Sequence, residues 1–409
     1  MAIFTGKHIL LGVTGSIAAY KAADLASKLT QQGAQVDVIF SAGAEQFITP
    51  LTFQSVTGRR AFTDADLWGG EAHILHVGLG HSTDLVVIAP CTANTLAKLA
   101  HGIADNLLTV TALAAGGEKS RQIPILIAPA MDAGMYEHPA TQENVRILKE
   151  RGVVFIGPAQ GRMASGLVGL GRMVEPMEIL GHIRLALGRN GKLAGKHLVV
   201  TAGGSQEPID PVRYITNRSS GKQGYALAQA ALDEGATVTL VTHPTGLTPP
   251  VGAHVVEVRT AQEMLEAVLK AVEQADGLVM AAAVADFRVK HVSEHKLKKQ
   301  DGIPHILLEA APDVLGTVGR LRPEWKRLKT VVGFAAESRD LVENAIAKLK
   351  SKHLDLIAAN DISAPDAGFG VDTNRITLLY ADGRRESLPL MSKDEAARYI
   401  IERVAAFLE

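Results

Sequence analysis

The stretch Gly195–Gly224, GKHLVVTAGGSQEPIDPVRYITNRSSGKQG, opens as a buried strand that runs into a glycine-rich turn, and it echoes Gly6–Ser16, GKHILLGVTGS. Glycine permits the positive φ that such turns need and lets a ligand approach the backbone, while N–H groups ahead of a helix attract phosphate. Two copies of strand plus turn predict two phosphate-binding α/β domains that begin the same way. The second copy also crowds Glu207, Asp210, Arg213, Asn217, Arg218, Ser219, Ser220 and Lys222 into one long connection. A long connection without elements of its own reads as functional.

Composition sets the bounds. A chain of 409 residues, 47% hydrophobic and 21% charged, is globular and long enough for two cores. Its net charge of −1 gives no electrostatic footprint for nucleic acid or an anionic membrane, so small molecules and other subunits are the expected partners. The single cysteine, Cys91, excludes an intrachain disulfide and a multi-cysteine zinc site. No apolar run is long enough to span a bilayer and Met1–Lys7 lacks a signal-peptide pattern, which places the expectation in the cytoplasm.

In the first half, Lys7–Val13 reads as a central parallel strand, and Ala18, Ala22, Leu25, Ala26 and Leu29 then recur at helical spacing until Gly33. Val36–Phe40 completes a βαβ unit, with Gly15, Ser16 and Ile17 where a nucleotide phosphate would meet the helix. A dinucleotide reading, and with it a nicotinamide oxidoreductase, lacks both GxGxxG and an acidic residue after the second strand, where Phe40 and Ser41 stand. Asp84–Pro90 and Ile123–Pro129 are further strands, each ending in Ala-Pro. Cys91, Thr92, Ala93, Asn94 and Thr95 follow the first, and Ala130, Met131, Asp132, Ala133, Gly134 and Met135 the second. Sheets of this kind bind ligands beyond their carboxyl ends. His73, His76 and His81 lack the cysteine pair or acidic cluster of a metal site, and His73 is the candidate for acid/base work. Gly161–Pro176 is too glycine-rich for a core element and reads as a mobile flap or surface loop.

Ile179–Leu187 reads as a closing helix, and the boundary is set near Asn190, giving domains 1–190 and 191–409. Leu198–Ala202, Thr237–Thr242, His254–Val258 and Leu278–Ala283 read as strands of a second Rossmann-like domain, with an amphipathic helix at Met264–Val272. Asp286 follows the fourth strand, and Lys296, Lys298 and Lys299 come soon after. Beside a carboxylate and a glycine-rich turn this run reads as a triphosphate clamp. Lys348 and Lys352 form an i,i+4 pair ahead of a strand at Leu354–Ala359. Gly368–Tyr380 adds a loop and a strand, and Ala396–Phe407 a last helix.

GVTGSIAAYK, EAHILH, APCTANTLAKLAHGIADNLLT, PAMDAGM and MASGLVGLGRM together resemble the flavin-containing cysteine decarboxylases. From TAGGSQEPIDPVRYITNRSSGKQG through AAAVADF and GFAAES the chain resembles the ligase that precedes that decarboxylase in coenzyme A biosynthesis. The order is that of the bifunctional bacterial family, phosphopantothenoylcysteine decarboxylase followed by phosphopantothenate–cysteine ligase. The resemblance implies two Rossmann-like α/β domains with parallel central sheets, a flavodoxin-like flavoprotein and a nucleotide-binding ligase. Decarboxylating an acylated cysteine needs an electron sink, which a cofactor must supply. By resemblance FMN is that cofactor, held by Gly15, Ser16, Ile17, Ser41, Thr92, Ala93, Asn94 and Thr95, with His73 catalytic. The family often has asparagine at the position of Asp132 and an acidic cysteine at that of Ser165.

For the ligase the resemblance implies CTP with Mg²⁺, an acyl-cytidylate of 4′-phosphopantothenate, and displacement of CMP by cysteine. Asp286, Lys296, Pro312, Asp313, Phe334, Lys348 and Lys352 would contact CTP, and Asn217 would act on the acyl-cytidylate. The family also implies a homo-oligomer, with trimeric flavoprotein contacts and dimeric ligase contacts combining into dodecamers. Asp132 and Ser165 motivate one alternative, in which only the ligase turns over and the flavoprotein half is a binding or regulatory module.

Overall fold

The computed structural model describes residues 3–68, 74–115, 123–337, 339–361 and 370–409. Its chain divides into two compact units, Met1–Leu187 and Gly188–Glu409.

The first unit starts with β1 (His8–Val13), α1 (Ala19–Gln31) and β2 (Gln35–Phe40), the strands pairing in parallel from His8 with Gln35 to Val13 with Phe40. Helix α1 turns Ala19, Ala22, Leu25, Ala26 and Leu29 inward, the 3.6-residue period read from the sequence. Gly33, at φ +93°, then reverses the chain where a side chain would be strained. Next come α2 (Pro50–Thr57), β3 (Ala61–Phe62), α3 (Leu75–Ser82), β4 (Leu85–Cys91), α4 (Ala93–His101) and α5 (Leu107–Ala115). After them β5 (Ile125–Pro129), α6 (Ala133–Glu137), α7 (Pro139–Glu150) and β6 (Val154–Phe155) complete the sheet. Its described strands run in parallel in the order β3-β2-β1-β4-β5-β6, so the order reverses between β1 and β4. A crevice opens at such a reversal. Every residue of β4 is buried, because α1, α2 and α8 (Pro176–Gly188) cover one sheet face and α4, α5 and α7 the other.

The glycine-rich segment read as a mobile flap contains a hairpin, β7 (Ala159–Arg162) with β8 (Val168–Arg172). Its glycines serve close packing. A Cβ on Gly171 would lie 2.3 Å from the Met131 carbonyl oxygen, and one on Gly169 2.7 Å from the Ala133 Cβ.

The second unit contains β9 (His197–Ala202), the hairpin β10 (Gln206–Asp210) and β11 (Arg213–Thr216), α9 (Lys222–Asp233), β12 (Thr237–Thr242) and β13 (His254–Glu257). The long polar connection of the sequence therefore has an antiparallel element of its own. Then follow α10 (Ala261–Val272), β14 (Gly277–Met280), the hairpin strands β15 (Phe287–Val289) and β16 (Leu308–Ala310), α11 (Val314–Leu321), β17 (Thr330–Glu337), α12 (Leu341–Ser351) and β18 (Leu356–Asp361). The chain closes with β19 (Thr373–Asn374), β20 (Ile376–Tyr380), β21 (Arg385–Ser387), β22 (Met391–Ser392) and α13 (Lys393–Leu408). The main sheet has the order β13-β12-β9-β14-β17-β18-β20-β21. It is parallel as far as β18, but β20 and β21 add antiparallel, so this sheet is mixed rather than wholly parallel. Helices α10, α11 and α12 pack on one face, and α9 rests on β9 and β12 with α13 beside it.

The strand expected to reach Ala283 leaves the sheet at Met280. Beyond it Ala283 bridges to Gly204, its N–H donating to the Gly203 carbonyl at 2.8 Å and its carbonyl accepting from Ser205 N–H at 3.2 Å. Helix α13 starts at Lys393, earlier than the expected Ala396, because Ser392 and Glu395 form a reciprocal capping box.

His243, just past β12, is fully buried, and neither ring nitrogen has a hydrogen-bond partner. Burial holds its imidazole below the ordinary value, with nearby carbonyls and Glu263 pulling less strongly the other way. Above the unfolded value, about 6.5, the histidine is neutral in both states and titrates nothing. Below it the unfolded chain takes up the proton first, so stability falls by at most about 1.4 kcal/mol per pH unit until the folded value is passed. Urea midpoints of the second unit are expected to drop between pH 7 and 5, and His243→Asn to flatten that slope. Equal slopes in the two proteins would show that other groups carry the acid sensitivity.

Candidate functional site

In the first unit the residues expected to hold a flavin nucleotide gather on one sheet edge. Gly15, Ser16 and Ile17 follow β1, Ser41 follows β2, and Thr92 to Thr95 follow β4 at the start of α4. Thr14 ties these loops together: its hydroxyl donates to the Pro90 carbonyl at 2.8 Å and accepts the Thr92 N–H at 3.0 Å. Thr92 caps α4 by accepting the Thr95 N–H at 3.4 Å, and its hydroxyl lies 3.3 Å from that of Thr95. Ser16 accepts the Ala18 N–H at 3.3 Å, while Asn94 and Ile17 are exposed.

The first two loops meet glycine to glycine. A Cβ on Gly15 would lie 2.9 Å from the Gly43 carbonyl carbon, tighter than real side chains allow. The result is a narrow cradle of backbone and small hydroxyls at the reversal of strand order, which fits a mononucleotide phosphate. Cys91 is no nucleophile here, since it is fully buried and burial pushes its thiol well up.

Asp132 caps α6, accepting the Gly134 N–H at 3.1 Å on Oδ1. Its Oδ2 accepts the hydroxyl of Ser165, from the turn between β7 and β8, at 2.6 Å. The two departures from the resembled family are thus bonded to each other. His73 lies outside the described residues. Among the described residues no three metal-ligating side chains cluster.

In the second unit one cavity of about 650 Å³ is lined by Asn217, Asp286, Pro312, Asp313, Phe334, Lys348 and Lys352. Asn217 follows β11, Asp286 directly precedes β15, Pro312 and Asp313 precede α11, Phe334 lies within β17, and Lys348 and Lys352 stand at the end of α12. Ser219, Ser220, Gly221 and Lys222 bring the start of α9 to the same cavity. Asn217 is anchored, its Nδ2 donating to the Ala283 carbonyl at 2.9 Å. Lys348 donates to the Phe334 carbonyl at 2.8 Å, and Lys352 pairs with Asp313, which caps α11 through Gly316 N–H at 2.9 Å. Burial opposes ionisation of Asp313, but Lys352 and that N–H outweigh it and the carboxyl lies below its usual range. Lys352 stands just past the end of α12, so the expected i,i+4 helical pair is one helical lysine and one capping lysine.

Two features differ from the sequence reading. Lys296 is exposed and does not line this cavity; with Lys298 and Lys299 it borders a separate open one. Asn360, Asn374, Gln223 and Lys393 do line it, in a chain from Asn360 Nδ2 to Asn374 Oδ1 (3.3 Å) and from Asn374 Nδ2 to Gln223 Oε1 (2.7 Å). Asn360 was visible as a polar residue ending a strand. Lys393 was within reach through the Ser-x-x-Glu signature that starts its helix.

Residues 4–187 match the family model described as Flavoprotein, and residues 193–408 that described as DNA/pantothenate metabolism flavoprotein C-terminal domain. The chain is 44% identical over 407 residues to the coenzyme A biosynthesis bifunctional protein CoaBC of Bacillus subtilis (strain 168), covering 99% of this chain and 98% of that protein. The protein of the same name from Vibrio vulnificus (strain CMCP6) is 41% identical, with 100% of each chain covered. A crystal structure of the C-terminal domain of a CoaBC protein is 39% identical over 53% of this chain and 98% of that one, with a TM-score of 0.46. Matched end to end by relatives of this name, the chain belongs to the family of coenzyme A biosynthesis bifunctional proteins.

Proposed function

We propose that the chain joins cysteine to 4′-phosphopantothenate with CTP and then decarboxylates the product to 4′-phosphopantetheine with FMN. The observation that carries this reading is the cavity of the second unit, where a helix start, four lysines, two carboxylates and Phe334 converge. A triphosphate needs cationic and N–H donors, which Lys348, Lys352 and the Ser219–Gly221 turn supply. The substrate carboxylate attacks the α-phosphorus of CTP and expels pyrophosphate; the cysteine amine then attacks the acyl carbon and CMP leaves. Mg²⁺ would enter with CTP, bound chiefly by phosphate oxygens and water, since it sheds its hydration reluctantly.

In the first unit FMN would supply the electron sink for loss of CO₂. Gly15, Ser16, Ile17, Ser41 and Thr92 to Thr95 would hold it, and His73 would serve as acid/base. Asp132 and Ser165 would act as a pair, the Asp132 carboxylate orienting the Ser165 hydroxyl that donates to its Oδ2. Self-association, trimeric through the first unit and dimeric through the second, would cover exposed apolar side chains such as Tyr20 and Leu51 on the first and Tyr214 and Phe287 on the second.

The test is direct. Protein given CTP, Mg²⁺, 4′-phosphopantothenate and cysteine should release CMP, pyrophosphate and CO₂ in equal amounts; consumption of CTP without CO₂ would leave only the ligase. Gly15→Ala should push the first two loops apart, since the nearest Gly43 atoms are backbone. Flavin retained on gel filtration is then expected to fall markedly while the far-UV spectrum is kept. Undiminished yellow colour would place the nucleotide elsewhere.

A further inference from the structure

The exposed lysines Lys296, Lys298 and Lys299 lie outside the main cavity, yet the backbone between them is held tightly. Leu297 N–H donates to Asp210 Oδ2 at 3.2 Å, and its carbonyl accepts from Arg213 Nη2 at 2.9 Å. A few residues earlier, Ser293 N–H donates to the Ile209 carbonyl at 3.0 Å. Asp210 itself is buried at the tip of the β10–β11 hairpin. Its Oδ1 accepts the N–H groups of Val212 (2.8 Å) and Arg213 (2.9 Å), which closes the turn. Its Oδ2 faces Leu297 N–H and the Arg213 guanidinium together.

We infer that Asp210 is a positioning residue for nucleotide binding: it pins Leu297 so that Lys296, Lys298 and Lys299 stand as one cationic comb for a triphosphate. The inference rests on the CTP-dependent reading above. Both hydrogen-bonding groups of Leu297 are engaged by the hairpin, so the loop is set where an unpinned, lysine-rich segment would be spread by its own repulsion. The Arg213 guanidinium holds the Asp210 carboxyl far below the usual carboxylate range, so the anchor stays ionised wherever the enzyme works. The other end of the same hairpin runs into Asn217, so one element sets both the comb and the anchored amide.

Asp210→Asn separates the two roles of the carboxylate. An amide keeps one oxygen for the turn but turns an N–H toward Leu297 N–H and the guanidinium, donor against donor. In the full-length protein, trypsin is expected to cut after Lys296, Lys298 and Lys299 faster than in wild type. The KM for CTP should rise roughly tenfold, about one charge-assisted contact, with kcat unchanged, as for loss of uniform binding. Its steep dependence on salt should flatten as well, because the lysines no longer act together. Unaltered cleavage, KM and salt slope would overturn the assignment. So would a lowered urea midpoint with kcat and KM changing together, the mark of a merely structural carboxylate. A wild-type chain that never consumes CTP would sink the ligase reading instead, and the cleavage comparison, which needs no nucleotide, would still judge the clamp.

Discussion

Asn217→Asp is expected to lower ligation by about 10²–10³, the usual effect of removing one donor to a developing oxyanion, while CO₂ release from supplied 4′-phosphopantothenoylcysteine is unchanged. An amide carries two N–H donors. One of those of Asn217 is fixed on the Ala283 carbonyl at 2.9 Å, which orients the group at the cavity wall and leaves the second for a substrate oxygen. Aspartate keeps the size, loses both donors and sets an anionic oxygen against that carbonyl. The contacts proposed for CTP at Asp286, Lys348 and Lys352 come from other elements and should survive. The acyl-cytidylate should therefore accumulate. Quenching the variant with CTP, Mg²⁺ and 4′-phosphopantothenate and weighing the products by mass spectrometry checks this. Cytidylate formation abolished as fully as final product would assign Asn217 to activation or folding.

Gly224→Val should unfold or severely loosen the second unit. Helix α9 lies against the end of β9 so closely that a Cβ on Gly224 would sit 2.5 Å from the Ala202 Cβ and 2.6 Å from the Thr201 carbonyl oxygen. These neighbours are the strand itself and cannot swing aside as a side-chain tip would. Overpacking costs typically about 1–3 kcal/mol and sometimes more, and valine adds two methyl groups beyond that Cβ. The same contact aims the start of α9 at the cavity, so CTP affinity should fall even in molecules that remain folded. Urea midpoints with and without CTP read both effects. The first unit has its own core, and its flavin colour should persist. An unshifted midpoint would mean that α9 can move away from the sheet at little cost.

Much of the fold was legible because apolar runs and 3.6-residue periods are local properties of the chain. The repeated strand-and-turn openings, α1, and the strands β2, β4, β5, β12, β13 and β14 could be read that way, to within a few residues at their ends. The hairpin inside the polar connection was missed because Pro208 and Pro211 and the charged residues around them have the composition of a loop. Its pairing is decided by the turn that Asp210 closes. The glycines of the β7–β8 hairpin look alike in sequence whether they give freedom or permit contact, and only the facing Met131 and Ala133 atoms show that contact is their role.

For the sites, the sequence by itself determined which residue types end each strand, and hence which two sheet edges are the candidates for nucleotide binding. Only the tertiary structure decided their company. It joined Asp132 to Ser165 across 33 positions of sequence, brought Lys393 to the cavity from the last helix, and left Lys296 outside while fastening Leu297 to Asp210 across 87. Strand-end chemistry is encoded locally, whereas side-chain partnerships depend on which loops the sheet order and helix packing place side by side.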